Sequence, residues 1–522
     1  MEENKNVTEE EFYDLGYDWM MKYGYNVNLA RAIPQISDGL KPIHRRTLYG
    51  LWKSYKYDFV SAKSAIGIIG LYVPHGDQGM NLMLGRMAQS FSNTVPLLTP
   101  KGNPGTITCG DDTAAQRYWS IAISDFVKDV YFSEFDEKAN MVPNYDDKLM
   151  EPTMLPCKFP MILLNGTIGI GYTMSSTIPP YNLNELADVT LKLLDNPDAK
   201  FRLIPDSPTG CDIIIRDENT FVMQSSFEID NLNYTITIRN TPYTKFIRKI
   251  QKDIWKLQDS KNAIPEILHA DDESDLINND NIKFIIRCKP CNLYTIINKL
   301  FKYIPDFRYT ISTKNMIVVD TEYRTCNYNV RQILLAWIKI RINEKRNWYM
   351  RELTEKTHRY NMLDGKAFML NKENLPKTIK VFRSCKHTDE IVSKLVESFK
   401  GKISSSQANF ISDAKFKHLT EDEYNKTLDE IKKLYGEIEE IRKTISSKEN
   451  IMKSIADDIR KIKAKYGHPR RSKIINPNNT EHNNIAIAQI MSDGSVVFSE
   501  TETPEHLASD VTPISDNKVC LI

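Results

Sequence analysis

Arg117-Tyr118-Trp119 is the stretch of this sequence whose residue types could do covalent chemistry. A phenol is a weak nucleophile with an ordinary pKa of about 10, and it reacts only when a neighbouring base or cation favours the phenolate. Arg117 supplies a permanent cation one residue from Tyr118, after a run of small and acidic residues from Asp111 to Ala115. The plain alternative is a half-buried tyrosine on a helix face, with its ring in the core and its hydroxyl at the water. A second concentration of charge lies between Arg31 and Lys63, where Lys41, His44, Arg45, Arg46, Lys53 and Lys56 face only Asp38 and Asp58. Such a stretch suits the backbone of a polyanion, giving affinity with little sequence information.

The rest of the chain sets the frame. Lys+Arg of 69 against Asp+Glu of 68 leaves almost no net charge, so a nucleic-acid surface must come from local segregation. Hydrophobic content of 41% and charged content of 26% describe a soluble globular protein, and 522 residues exceed one core. About three or four domains are expected. The first residues are acidic and polar, and no run of about 18 apolar residues occurs. The expectation is a cytoplasmic protein with no membrane contact. Eight scattered cysteines read as reduced thiols. Cys288-Lys-Pro-Cys291 has the spacing of half a zinc site, but no second Cys or His pair stands at a ligand-like distance, so no metal is expected in this chain.

The elements that must position these groups can be read from periodicity. Phe12, Leu15, Trp19, Met20, Tyr23 and Val27 predict an amphipathic helix that needs a partner surface, stopped at Ile33-Pro34. The turn Ser37 to Pro42 delivers a basic helix from Ile43, and short helices are predicted over 63–70 and 79–90. Together these suggest a helix-turn-helix or winged-helix DNA module. Strand-like runs at 211–216, 234–239, 282–288 and 316–319 indicate a separate α/β region. After Asn329 the pattern is helical. Leu428, Ile431, Tyr435, Ile438, Ile441 and Ile445 form a seam that resumes at Ile451, Ile455, Ile459 and Ile462 after Ser446-Ser447. Two antiparallel arms with a helical knob over 371–422 would make a dimerisation hinge, or the same hairpin without a partner. Ser492-Asp493-Gly494 predicts a β-hairpin turn in the tail.

At Asn28 to Arg46 the sequence NLARAIPQISDGLKPIHRR resembles the opening signature of the DNA breakage-reunion subunit of type IIA topoisomerases, the family that holds the A subunits of gyrase and topoisomerase IV and the phage medium subunit. Pro74-His75-Gly76-Asp77, Arg86-Met-Ala-Gln89, Gly102-Asn-Pro-Gly105, Ala114-Ala-Gln-Arg-Tyr118, Val142-Pro-Asn-Tyr-Asp146 and the loop from Asn165 to Ile170 follow in the family's order and at nearly its spacing. The resemblance runs from about residue 10 to Ile474. It implies an α+β multidomain chain: an N-terminal arm (1–30), a winged-helix catalytic domain (31–185), a tower domain (186–325), a coiled coil with C-gate knob (326–474) and a short tail (475–522).

The resemblance also assigns roles. Tyr118 is the nucleophile that forms a 5′-phosphotyrosine, Arg117, Arg31 and His75 attend the scissile phosphate, and Lys41, His44, Arg45 and Arg46 hold the flanking backbone of double-stranded DNA. Ile170 is the wedge that enters the minor groove and bends the duplex. No metal ligands of the required kind and no ATP fold are found in the sequence, so Mg²⁺ and ATP are expected on an ATPase/Toprim partner in an A2B2 assembly built on a homodimer. The chain departs from the family in four ways. Val73 stands where the family has the first histidine of His-Pro-His, Ala122 where an arginine is common, and Gln78 and Leu82 where a serine and an acidic residue anchor quinolones. No β-pinwheel or Gln-Arg-Arg-Gly-Gly-Lys-Gly box is found, which implies relaxation and decatenation in place of supercoiling, with a phage-type character. The alternative is a dimerising DNA-binding scaffold in which Tyr118 does no chemistry.

Overall fold

The computed structural model describes residues 12–74, 76–108, 113–275, 282–387, 389–412, 420–475, 487–490 and 496–499. Its largest core gathers three helices and a small sheet near the N-terminus. Pro42 starts the helix Pro42–Tyr55, where its missing N–H costs nothing. Ser61 caps the helix Ala62–Ile69 by accepting the Ser64 N–H at 3.1 Å, and Ala62, Ala65, Ile66 and Ile69 bury one stripe of it. The helix Asp77–Ala88 follows. Strands Val60–Ser61, Ser120–Ile123 and Leu98–Lys101 form an antiparallel sheet with 120–123 in the middle, where Ser61 faces Ser120 and Thr99 faces Ala122.

The hairpin Thr167–Ile170 and Ser175–Ile178 and the helix Leu183–Asp195 join this unit, and Ile333, Leu334, Trp337, Ile455 and Ile459 from later helices pack into the same core. A boundary at 185/186 therefore falls inside a helix whose Leu183, Leu186, Val189 and Leu193 are buried in the first core, and the sequence-based boundary is corrected there. Strand Ile317–Val319 also belongs here, because Val319 exchanges backbone hydrogen bonds with Pro34 and Ile36.

Two four-stranded sheets make up the middle of the chain. One runs 227–230, 235–238, 284–288, 267–272 and packs on the helices Ile247–Gln258 and Leu293–Tyr303. The other runs 308–312, 220–224, 212–215, 474–475, so the chain's return from its helical part adds a parallel edge strand.

The helix Val330–Leu370 opens with a full capping box at Asn329 and Gln332 and spans 41 residues, roughly 60 Å at 1.5 Å per residue. Ion pairs Lys356–Glu437, Arg359–Glu430 and Lys366–Glu423 rise along it while falling along Glu421–Ile445, so the two run antiparallel. Ser447 caps the next helix, Lys448–Tyr466, whose Ile451, Ile455, Ile459 and Ile462 are buried. Tyr435 is the exception in the expected seam. It is exposed, and its ring lies against Tyr360. The knob helices Leu375–Ser384, Asp389–Ser398 and Ser405–Ser412 close around Met369, Leu395, Phe399 and Ile411. Strands Ile487–Ile490 and Val496–Ser499 pair antiparallel on either side of the expected tail turn, which itself lies outside the described residues.

Candidate active site

Tyr118 leaves the fold through a turn and not from a helix face. Its N–H donates to Ala115 O at 2.8 Å, and the strand Ser120–Ile123 begins two residues later. Trp119 fixes the geometry. It is buried, and its Nε1–H donates to Asn81 Oδ1 at 3.0 Å on the helix Asp77–Ala88. Asn81 also donates to Thr113 Oγ1 at 2.7 Å and Ala114 O at 3.2 Å, so one asparagine holds the chain on both sides of the turn. Gly102, at φ +99°, closes against it: a Cβ there would sit 2.9 Å from both Trp119 Cβ and Tyr118 O. With Trp119 buried, Tyr118 at the bend before it is 65% exposed. The Arg117 guanidinium carbon lies 4.7 Å from the centre of the Tyr118 ring, over its face.

The basic helix divides its charges. Arg45 is buried, its Nε 2.6 Å from Asp38 Oδ2 and its Nη2 2.7 Å from Gln35 Oε1. Asp38 also accepts the N–H groups of Leu40 and Leu155, so Arg45 is part of a fully engaged internal cluster. The expectation that Arg45 holds a DNA backbone is corrected: its guanidinium is used inside the protein. Arg46, one residue on, reaches Glu151 Oε1 at 2.8 Å and keeps part of its surface open. Lys41 Nζ donates to Ile168 O at 2.9 Å.

Lys41 and His44 line a cavity of about 380 Å³ together with Arg86, Asn165, Tyr243 and Lys245. Burial, then the charges of Lys41, Arg45 and Arg86, push His44 down to about 3. His44 is therefore a neutral hydrogen-bonding group near pH 7, which corrects its reading as a cation. Burial and then Arg86 also lower Lys41.

Ile170 ends the first strand of the hairpin and is 84% exposed. Asn28 clamps the hairpin turn from both sides, donating to Tyr172 O at 3.1 Å and accepting its N–H at 2.7 Å. The π-helical turn Asn28–Ala32 lies so close that a Cβ on Gly169 would be 2.2 Å from Ala32 O. Arg31, on that turn, is exposed, and its side chain has no hydrogen bond or ion pair with the described residues. Arg31, Lys41 and the hairpin thus form one neighbourhood. Among the described residues no hydrogen bond or ion pair joins it to Arg117 or Tyr118. His75 lies outside the described residues. Val73 is a core residue, 2% exposed, so the departure at that position adds to packing and presents no group at the surface. Gln78 is exposed and Leu82 half-buried, one turn apart on Asp77–Ala88. Sequence reasoning missed Asn28, Asp38 and Asn81, whose clamping roles are set by long-range contacts that spacing does not reveal.

The family model for the A subunit of DNA gyrase/topoisomerase IV matches residues 31–460. The chain belongs to this family of DNA gyrase and topoisomerase IV A subunits. Its similar curated proteins include the DNA gyrase A subunit of Kosmotoga olearia, 30% identical over 92% of this chain and 60% of the relative. That of Clostridium acetobutylicum is 30% identical over 92% of this chain and 59% of its own. That of Borreliella burgdorferi is 30% identical over 87% and 58%. The chain thus spans about 60% of the length of these gyrase relatives. The family match opens at Arg31 and closes within the helix Lys448–Tyr466, so it contains the tyrosine turn, the basic helix and the hairpin tip. Among the described residues no helix is long and apolar enough to cross a membrane, and no three His, Cys, Asp or Glu side chains gather in metal-binding geometry.

Proposed function

We propose that this chain is the DNA-cleaving and religating subunit of a type IIA topoisomerase, with Tyr118 as its nucleophile. The Tyr118 phenolate oxygen attacks a DNA phosphorus. The bond from phosphorus to the 3′ oxygen breaks, leaving a 5′-phosphotyrosine and a free 3′-hydroxyl. One phosphodiester is exchanged for another, so attack by the 3′-hydroxyl on the phosphotyrosine reseals the strand without a further energy source. The observation that carries this reading is the outward-held Tyr118 with Arg117 over its ring at 4.7 Å. Arg117 is positioned to neutralise the charge that builds on the phosphoryl oxygens.

In this reading Arg31 and His75 attend the same phosphate, Lys41 and Arg46 hold flanking backbone, and His44 serves them as a neutral partner. Ile170 unstacks a base step, at a few kcal/mol that the bent, wrapped duplex offsets. Three helices and a three-stranded antiparallel sheet support a winged-helix domain that opens at Arg31 and includes the whole helix Leu183–Asp195, and the antiparallel helices with their knob support a coiled-coil C-gate and a homodimer. Mg²⁺ and ATP would come with an ATPase/Toprim partner in an A2B2 assembly, and no step written here runs through them. Relaxation and decatenation without net supercoiling, and a phage-type enzyme, are the finer reading, supported by the sequence alone.

Denaturing detergent added to a mixture of the protein, its ATPase/Toprim partner, Mg²⁺ and DNA should trap covalent protein–DNA adducts with the wild type and none with Tyr118→Phe, which still binds DNA. A wild type that forms no adduct overturns the reading in favour of a DNA-binding scaffold. Net negative supercoils on relaxed plasmid would overturn the relaxation reading alone.

A further inference from the structure

Ile170, exposed near the tip of the hairpin 167–178, sits between two backbone sites that the N-terminal segment holds. Two residues before it, Ile168 O accepts a hydrogen bond from Lys41 Nζ at 2.9 Å. Two residues after it, Tyr172 donates its N–H to Asn28 Oδ1 at 2.7 Å, and its carbonyl accepts from Asn28 Nδ2 at 3.1 Å. Asn28 is 6% exposed and opens the π-helical turn on which Arg31 stands three residues later. A primary amide carries a donor and an acceptor on one carbon, so it meets the N–H and C=O of a single residue as a paired strand would. A side chain on Gly171 would run into Asn28 Oδ1, which places the turn directly against the amide. The return strand is fastened separately: Asn315 Nδ2 donates to Ser175 O at 2.7 Å, and Ser176 Oγ donates to Ile317 O at 2.6 Å.

We propose that Asn28 is a positioning residue for DNA bending, holding the Ile170 wedge at a fixed offset from Arg31 so that the bent duplex presents its phosphate to that arginine. This role rests on Ile170 being the wedge and Arg31 a phosphate ligand. Unstacking a base step costs a few kcal/mol, and the load falls on the end of a two-stranded ribbon, which is marginally stable by itself. The hairpin tip must therefore be braced against recoil. Asn28 supplies the brace from the same turn that carries Arg31, so the wedge and the phosphate ligand move as one body.

The full chain with its ATPase/Toprim partner and Mg²⁺ is assayed at saturating protein on a doubly labelled duplex, for bending by energy transfer and, after detergent, for covalent adducts. Asn28→Ala removes two hydrogen bonds of ordinary strength, so the ratio of bent to straight duplex should fall roughly tenfold. Asn28→Asp has the shape of the amide. Ionised, it repels Tyr172 O; protonated, it donates to that carbonyl and still accepts the Tyr172 N–H. Its bending relative to the wild type should be low at about pH 8 and recover toward about pH 5, a rescue that lost packing would not show.

In an Ile170→Ala background Asn28 has no wedge to brace, and Asn28→Ala should lower the adduct yield no further. Undiminished bending in Asn28→Ala, no recovery of Asn28→Asp on acidification, or an equal further loss of adducts without Ile170 each overturns the positioning role. Those outcomes leave Tyr118 as the nucleophile, because the wild type still forms adducts. A wild type that forms none overturns both readings.

Discussion

Arg45 and Arg46 are neighbours on the helix Pro42–Tyr55, and the turn of about 100° between successive side chains sends one inward and the other toward the surface. Arg45 meets Asp38 and Gln35 inside the protein, so Arg45→Met leaves a buried carboxylate without its cation. A loss of about 3–5 kcal/mol in urea unfolding is expected, as for other broken buried pairs. Arg46→Ala should cost less stability. In DNA-binding titrations by fluorescence anisotropy it should weaken binding evenly across sequences and reduce the salt slope by about one. An Arg45 variant of unchanged stability that lost DNA affinity would reverse this division. The sequence made both arginines legible as charges but not their directions, because the partners of Arg45 sit 7 and 10 residues away on a loop of its own making. Adjacency marked Tyr118 and Arg117 as a candidate phenol–cation pair, a weak signal alone, and it was the resemblance that assigned them chemistry. What was not legible was the turn that frees them, which depends on Trp119 finding Asn81.

At the scale of elements, the hairpin 167–178 stands on the π-helical turn Asn28–Ala32, and this seat can be tested apart from its tip. Gly169→Ala introduces a Cβ 2.2 Å from Ala32 O, so either the hairpin or the Arg31 turn must move. About 1–3 kcal/mol of stability should be lost, with a parallel fall in adduct yield. Ile170 is 84% exposed, so Ile170→Ala should alter stability by less than about 0.5 kcal/mol while abolishing bending of a doubly labelled DNA duplex measured by energy transfer. Retained bending in Ile170→Ala would remove the wedge from the proposal. Helical elements were the more legible ones: an isoleucine every three or four residues gave the seam from Ile438 to Ile462. Tyr435 fitted that period yet lies exposed, because an aromatic on the flank finds another ring, Tyr360, outside the seam. The parallel pairing of Ile474 with Ile213 was not legible, since two residues carry no period and the partner is more than 250 residues away.

The whole molecule is joined at a cluster of buried charges where three distant segments meet. Glu134 receives Arg341 Nη2 at 2.6 Å and Lys345, both on the long helix Val330–Leu370, and Asp458 on the returning helix accepts Lys345 at 2.7 Å. Burial raises Glu134, but Arg341, Lys345 and Lys158 outweigh it and hold the carboxyl at about 2, below its ordinary 4.5. Its folded pKa is depressed, so its stabilising contribution is present above pH 4.5 and is lost as pH falls toward 2. Glu344, one turn after Arg341 and directly before Lys345 on the same helix, behaves in the opposite sense. Burial, then Asp38 and Glu134 against the opposing pull of Arg341, raise it from 4.5 to about 8, and its Oε1 has no hydrogen-bond partner. With the folded pKa above the unfolded one, the protonated acid contributes fully below pH 4.5, and that contribution is lost as pH rises through 8. Glu344→Gln keeps the shape and removes the proton, so its urea midpoint should equal the wild type's near pH 4.5 and exceed it progressively toward pH 8. Parallel midpoints for the two proteins across that range would mean that Glu344 titrates normally and that the junction of the long helices with the first core is not pH-sensitive through this residue.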